Sequence, residues 1–206
     1  ADINCLDCSA HGDSIGGLVG LISPSQNLNS TEFDGFSYVD SMTRAGVVLN
    51  SLVQARIEGR NKVGGIVGES SGLVMYSYAA NRNGSALASD GIHGASKVGG
   101  IIGELHNELH IDIKNFNNYG VVHSVSLSDI SSPGGVNVAG VVGLAKSEFA
   151  SVFGSYHRIG NCFNFGEESG ASVKINCEDT TSVISIANFT GDSSGNLGGF
   201  DCFDKY

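Results

Sequence analysis

The residues with the most chemical potential form one run: Glu104, His106, Glu108, His110 and Asp112 alternate with Leu105, Leu109 and Ile111. On a strand, alternate side chains leave the same face about 7 Å apart, so these five would project together. Two imidazoles and a carboxylate at that spacing are ligands that zinc accepts. The run is not the His-Glu-x-x-His helix motif, in which Glu directly follows the first histidine, because Asn107 stands there. The same alternation is what a strand with a polar outer face and an apolar inner face produces. The expected reading is therefore structural, with no metal ligand and no cofactor assigned.

The string Gly-x-Ser-x-Gly, which in some hydrolases exposes a nucleophile, occurs at Gly12–Gly16, Gly68–Gly72 and Gly191–Gly195. It needs a strand, a sharp turn and a helix around its serine. Ser14 and Ser70 merely flank glycine pairs in a chain with thin helical signals, so neither is assigned a catalytic role. Cysteines stand at positions 5, 8, 162, 177 and 202. Cys5 and Cys8 form a Cys-x-x-Cys without the second pair of a zinc ribbon, and an oxidised pair is expected. Cys162 and Cys177 are placed to bridge neighbouring coils, and the odd count leaves one thiol over. Glycosylation sequons begin at Asn29, Asn83 and Asn188, with Asn83 on a predicted corner. Asp192, Asp201 and Asp204 are acidic but lack any calcium-loop pattern.

These residues must be carried by elements that the glycines mark out. The 206 residues include 30 Gly, 2 Pro and no Trp, with 41% hydrophobic residues and a net charge of −10. That apolar fraction excludes intrinsic disorder, and the glycines lack the three-residue period of collagen. Acidity argues against nucleic acid and anionic membrane surfaces as partners. No apolar run has the roughly 18–20 residues of a spanning helix.

The glycines recur in a pattern. Ile15-Gly16-Gly17-Leu18-Val19-Gly20 returns as Val63-Gly64-Gly65-Ile66-Val67-Gly68 and as Val98-Gly99-Gly100-Ile101-Ile102-Gly103. Val138-Ala139-Gly140-Val141-Val142-Gly143 is a fourth copy, and Leu197-Gly198-Gly199-Phe200 a decayed fifth. A weaker Asn/Gly corner lies between them, at Asn81–Gly84, Asn117–Gly120 and Asn164–Gly166, with Arg44-Ala45-Gly46 in the same place. Stepping alternately through both motifs gives intervals clustering near twenty residues. Repetition on this scale signals a solenoid or array. The segments between are read as period-two strands: Val47, Leu49, Ser51, Val53, Ala55 and Ile57 face one way. After Gly120, Val121, Val125 and Leu127 oppose Ser124, Ser126 and Ser128. The expected fold is an all-β, β-solenoid-like repeat domain with coils of about twenty residues, with a β-sandwich as the alternative. Residues 14–199 form the repeats, with a segment 1–13 and a tail 200–206 outside them. Glycine at the corners is expected to supply positive φ and close backbone approach.

The Gly-Gly-[Leu/Ile/Val]-Val-Gly core, followed by turns such as Tyr76-Ser77-Tyr78-Ala79 and Asn117-Asn118-Tyr119-Gly120, resembles the GLUG-motif repeats. Those occur in large secreted and surface-anchored microbial proteins, including adhesins and the non-catalytic regions of immunoglobulin-A peptidases. The likeness runs over about residues 10 to 200, and the gap from Gly140 to Gly198 departs from the usual spacing. It implies an extracellular or cell-surface structural module, non-catalytic, self-associating or joined to neighbouring repeats of a larger surface protein. A glycan or host-surface ligand fits the same setting. The contrasting expectation is a carbohydrate-active β-helix, for which grouped carboxylates occur only at Glu104–Asp112. Ice binding is disfavoured, because only five Thr are present.

Overall fold

A computed structural model describes residues 1–4, 13–23, 46–85, 87–107, 120–132, 136–147, 157–160, 162–166, 168–169, 175–177 and 183–187. Every strand pairing among them is parallel, and two short 3-10 turns, Arg82–Gly84 and Ala88–Asp90, are the helical pieces described. Among the described residues no helix is long and apolar enough to cross a membrane.

The strands fall into five parallel sheets, which the chain visits in a fixed order. One full passage runs Arg56–Glu58, Asn61–Gly64, Val67–Ser70, Leu73–Met75 and Tyr78–Ala80. The next passage begins at Ile92–His93, which pairs with Arg56–Glu58, and each later strand through Glu168–Ser169 pairs with the one five before it. Ile175–Cys177 and Val183–Ala187 pair with the strands four before them, because no described strand follows Val136–Ala139 in its sheet. Each passage is thus a layer of five strands lying on the previous layer. Valine and isoleucine supply the inner positions, where branched side chains suit a pleated, packed surface. Val63, Val98 and Val138 stack on one line, and Ile57, Ile92 and Ile130 on another, all fully or almost fully buried.

The register corrects the expected coil length. Ile15, Val63, Val98 and Val138 are partners in succession, 48, 35 and 40 residues apart. A spacing near twenty is therefore only part of a layer. The Asn/Gly motif does not mark one corner either. Asn81 and Gly166 follow Tyr78–Ala80 and Phe163–Asn164, two strands of one sheet that both pair with Val125–Leu127, whereas Gly120 opens a strand paired with Leu73–Met75. Glycine spacing alone could not separate two corners of one layer from the same corner of two layers. Asp2–Asn4 lies one layer below Arg56–Glu58, with which it pairs.

The strand phases also differ from expectation. Residues 47–58 make three strands in three sheets, and Val48 is buried between exposed Val47 and Leu49. Beyond Asn50 the buried set becomes Val53, Ala55 and Ile57. Ser124, Ser126 and Ser128 are buried, while Leu127 points outward. The cause is a left-handed residue at this corner in three successive layers: Asn50, Tyr76 and His123, with φ of 50°, 48° and 50°. It breaks the alternation, and small serines enter the interior. Their hydroxyls accept corner amides, Ser51 N–H donating to Ser77 Oγ at 3.4 Å and Ser77 N–H to Ser124 Oγ at 3.2 Å.

At the doubled glycines, positive φ falls not on glycine but two residues earlier, on Ser14, Lys62, Lys97 and Asn137. The glycines are required by closeness instead. A Cβ on Gly64 would lie 2.7 Å from the amide nitrogen of Gly103, and one on Gly99 the same distance from that of Gly143. A Cβ on Gly65 would lie 2.1 Å from the carbonyl oxygen of Gly100. Successive layers pass at backbone contact here, which no side chain permits.

Candidate functional site

The left-handed residue before each glycine pair places a side chain beside the strand that follows. In two layers that side chain is a lysine and finds a glutamate seven residues on. Lys62 Nζ lies 2.9 Å from Glu69 Oε2, and Ser14 Oγ of the layer below donates to the same oxygen at 2.6 Å. In the next layer Lys97 Nζ pairs with Glu104 Oε2, and Glu104 is 1% exposed. Glu69 and Glu104 are register partners, so the two ion pairs stack. The outer layers replace both members, carrying Ser14 with Leu21 and Asn137 with Leu144 on the same lines.

Burial of a carboxylate costs several kcal/mol unless a cation and hydrogen bonds compensate it. Lysine supplies that compensation for Glu104. The pairing also sets what the group can do: a carboxylate neutralised by lysine is a weak base and a poor ligand for a second cation. Glu104 therefore does not stand on an outward polar face, and it is Leu105, its neighbour, that shares full burial with it. His106 falls in the strand Ile102–Asn107, while Glu108, His110 and Asp112 lie outside the described residues. Among the described residues no three His, Cys, Asp or Glu side chains converge as metal ligands.

The serines of the Gly-x-Ser-x-Gly strings are likewise engaged. Ser14 donates to Glu69, as above. Ser70 is buried, its Oγ accepts the Gly72 N–H at 3.1 Å, and a strand, Leu73–Met75, follows rather than a helix. The Gly191–Gly195 string, Asp192, Asp201, Asp204, Asn29 and Asn188 lie outside the described residues, as do Cys5, Cys8 and Cys202. Cys162 is a buried thiol donating to the Val121 carbonyl at 3.4 Å, so the bridge expected between Cys162 and Cys177 is not formed. Cys162 precedes the strand paired with Val125–Leu127, at the position that Ser124 and Ser77 hold in lower layers. Asn83 is exposed, with φ of 57°.

Two polar assemblies near that turn had no signal in the repeat. Asn81 Nδ2 donates to Asp129 Oδ2 at 2.7 Å, and the Asp129 N–H returns a bond to Asn81 Oδ1 at 2.9 Å, tying two layers. Arg82 spans Asp2, at 2.8 and 3.0 Å, and Asp90. The Ser85 hydroxyl and then the Arg82 guanidinium hold the Asp90 carboxyl below its ordinary range, and Asp90 and Asp2 raise Arg82. The lysine–glutamate stack, by contrast, was visible as Lys-Val-Gly-Gly-Ile-x-Gly-Glu, written twice at 62–69 and 97–104.

The outer surface offers apolar side chains. Leu52, Tyr78 and Val125 are register partners on one sheet, with Leu127 and Phe165 beside them. At the neighbouring corner the rings of Tyr76 and His123 stack with centroids 5.1 Å apart and planes within 7°. Comparison of the chain with protein-family models, with curated proteins and with solved structures finds no match in any of the three.

Proposed function

We propose that this chain is a β-solenoid whose coil is a whole five-strand layer, akin to the GLUG-motif repeats, and that it serves as a non-catalytic extracellular structural or adhesive module. It acts through self-association, in surface fibres, or as part of a larger surface protein. The observation that supports this most is the unbroken parallel register from Ile15 through Val63 and Val98 to Val138. The described polar groups that sequence singled out for chemistry, Glu104, Ser14 and Ser70, are engaged within that stack. A repeat stack offers a long rigid surface and strand edges at its ends.

The test is retention and turnover on the same surfaces. Beads carrying the chain are expected to hold to immobilised copies of the chain, to glycans or to host-cell surfaces, while acidic polysaccharides release no reducing ends. Release of reducing ends would overturn the non-catalytic reading. A carbohydrate-binding role is the second reading, favoured by the stacked Tyr76 and His123 beside exposed Tyr78. Aromatic faces of this kind present apolar area with a polar tip. Selective retention on a glycan array, lost in Tyr76→Ala, would support it.

A further inference from the structure

The first layer consists of Asp2–Asn4, Asp13–Gly16, Val19–Ile22, Val47–Leu49 and Leu52–Gln54, and each of these strands stands at the end of its sheet. Among the described residues nothing pairs with their outer edges. The layer also keeps residues suited to an interior junction. Leu18 is 52% exposed, although Ile66, Ile101 and Val141, at the same motif position in the layers above, are fully buried. Ile15 and Val19 are only partly covered, whereas Val63 and Val67, their register partners, are completely so.

Gly20 gives the direction. The third glycine of each motif lodges against the layer before it. A Cβ on Gly68 would lie 2.4 Å from the Ile15 amide nitrogen, one on Gly103 2.4 Å from the Lys62 carbonyl carbon, and one on Gly143 2.6 Å from the same atom of Lys97. Gly20 holds that position in the first layer, and the only atoms near its absent Cβ belong to Ser14 of its own layer. What would fit beneath it is a left-handed residue, a branched or apolar one, and a corner of two small residues, Gly-Gly or Ala-Gly. Asn137-Val138-Ala139-Gly140 is that sequence within the described stack, and Asn196-Leu197-Gly198-Gly199 repeats it near the C-terminus, outside the described residues.

We propose that the open face of the first layer docks a second copy of this chain, head to tail, so that the C-terminal end of one copy continues the parallel ladders of the next. The inference rests on the self-associating solenoid reading. Leu18 becomes a core residue at the junction, Gly20 meets a small-residue corner of the partner copy, and the outer edges of the first-layer strands gain hydrogen bonds. Both ends point the same way along the stack, so addition does not close and growth is linear.

The experiment is sedimentation velocity of the full chain over a wide concentration range, with electron microscopy of the largest species. The wild type is expected to form elongated oligomers that grow with concentration. Leu18→Lys is expected to weaken association at least tenfold with an unchanged circular dichroism spectrum and melting temperature. Leu18→Gln replaces it if lysine disturbs the fold. Leu127→Lys, on the lateral surface of an inner strand where Leu127 is 50% exposed, is expected to associate like the wild type. A wild type that stays monomeric throughout overturns the docking and the self-association together. Association insensitive to both Leu18 variants, or abolished by Leu127→Lys, overturns the end-face docking and leaves self-association standing.

Discussion

Gly64 and Gly103 face one another across two layers so closely that a Cβ on the first would lie 2.7 Å from the amide nitrogen of the second. The same contact joins Gly16 to Gly68 and Gly99 to Gly143, so the first glycine of one motif is matched to the third of the next. The glycine code is a code of backbone proximity.

Gly103→Ala should destabilise the chain by about 1–3 kcal/mol, the usual cost of forcing extra atoms into a packed site. Gly84 needs glycine for a different reason: its φ is 65° and nothing lies within 4 Å of an added Cβ. Gly84→Asn should therefore be nearly neutral, since asparagine tolerates the left-handed region, and Gly103→Asn should be at least as damaging as Gly103→Ala. Urea midpoints of the three variants, set against the wild type, check this. Equal losses for the two asparagine variants would contradict it.

How much of this was legible follows from the same residues. The four glycine motifs are written plainly and match one another as the register has them, but the interleaved Asn/Gly motif implies an extra coil between successive copies. The all-β class was legible in the strand-like segments between the glycines. The length of a layer was not legible, because Asn81 and Gly120 look alike in sequence and stand at different corners. The burial of Ser124, Ser126 and Ser128 was not legible either, since period-two reading assumes an unbroken strand and His123 breaks it with a left-handed turn. The Lys97–Glu104 pair was within reach, because the seven-residue spacing occurs twice at equivalent places. It was overlooked because Glu104 was read outward with His106.

Removing Lys97 should expose the cost of Glu104. Lys97→Met leaves a buried carboxylate without its cation, a loss of about 3 kcal/mol or more. The double variant Lys97→Asn with Glu104→Leu copies Asn137 and Leu144 of the next layer. It should recover to within about 1 kcal/mol of the wild type, as paired replacements of buried ions commonly do. Equilibrium denaturation of both proteins decides it; a double variant as unstable as the single one would be inconsistent with simple pairing.

Acid should weaken the Arg82 junction in a defined direction. Asp90 has a folded pKa lowered from the ordinary 3.8, first by Ser85 and then by Arg82. Its contribution is fully present above that ordinary value and is lost as pH falls through the lower folded value. Wild type should exceed Asp90→Asn in urea midpoint near neutral pH, and the gap should close below pH 3.8. A gap that widened in acid would have the wrong sign.

Cys162 should be silent in the native state. Mass-spectrometric mapping after brief maleimide treatment should find it unlabelled until denaturant is added, because the thiol is buried. Cys162→Ser extends the column of Ser77 and Ser124 and should shift stability by no more than about 1 kcal/mol. Rapid native labelling at Cys162 would contradict that burial.

The layered register itself can be read bond by bond. Scalar couplings across hydrogen bonds, measured by NMR on the deuterated chain, should connect the Ile66 amide to the Ile101 carbonyl and the Ile101 amide to the Val141 carbonyl, bonds of 2.9 and 3.0 Å. Seeing both would establish the five-strand layer as the repeating unit. Coupling of the Ile66 amide instead to a carbonyl about twenty residues on would restore the shorter coil of alternating motifs and contradict the layer.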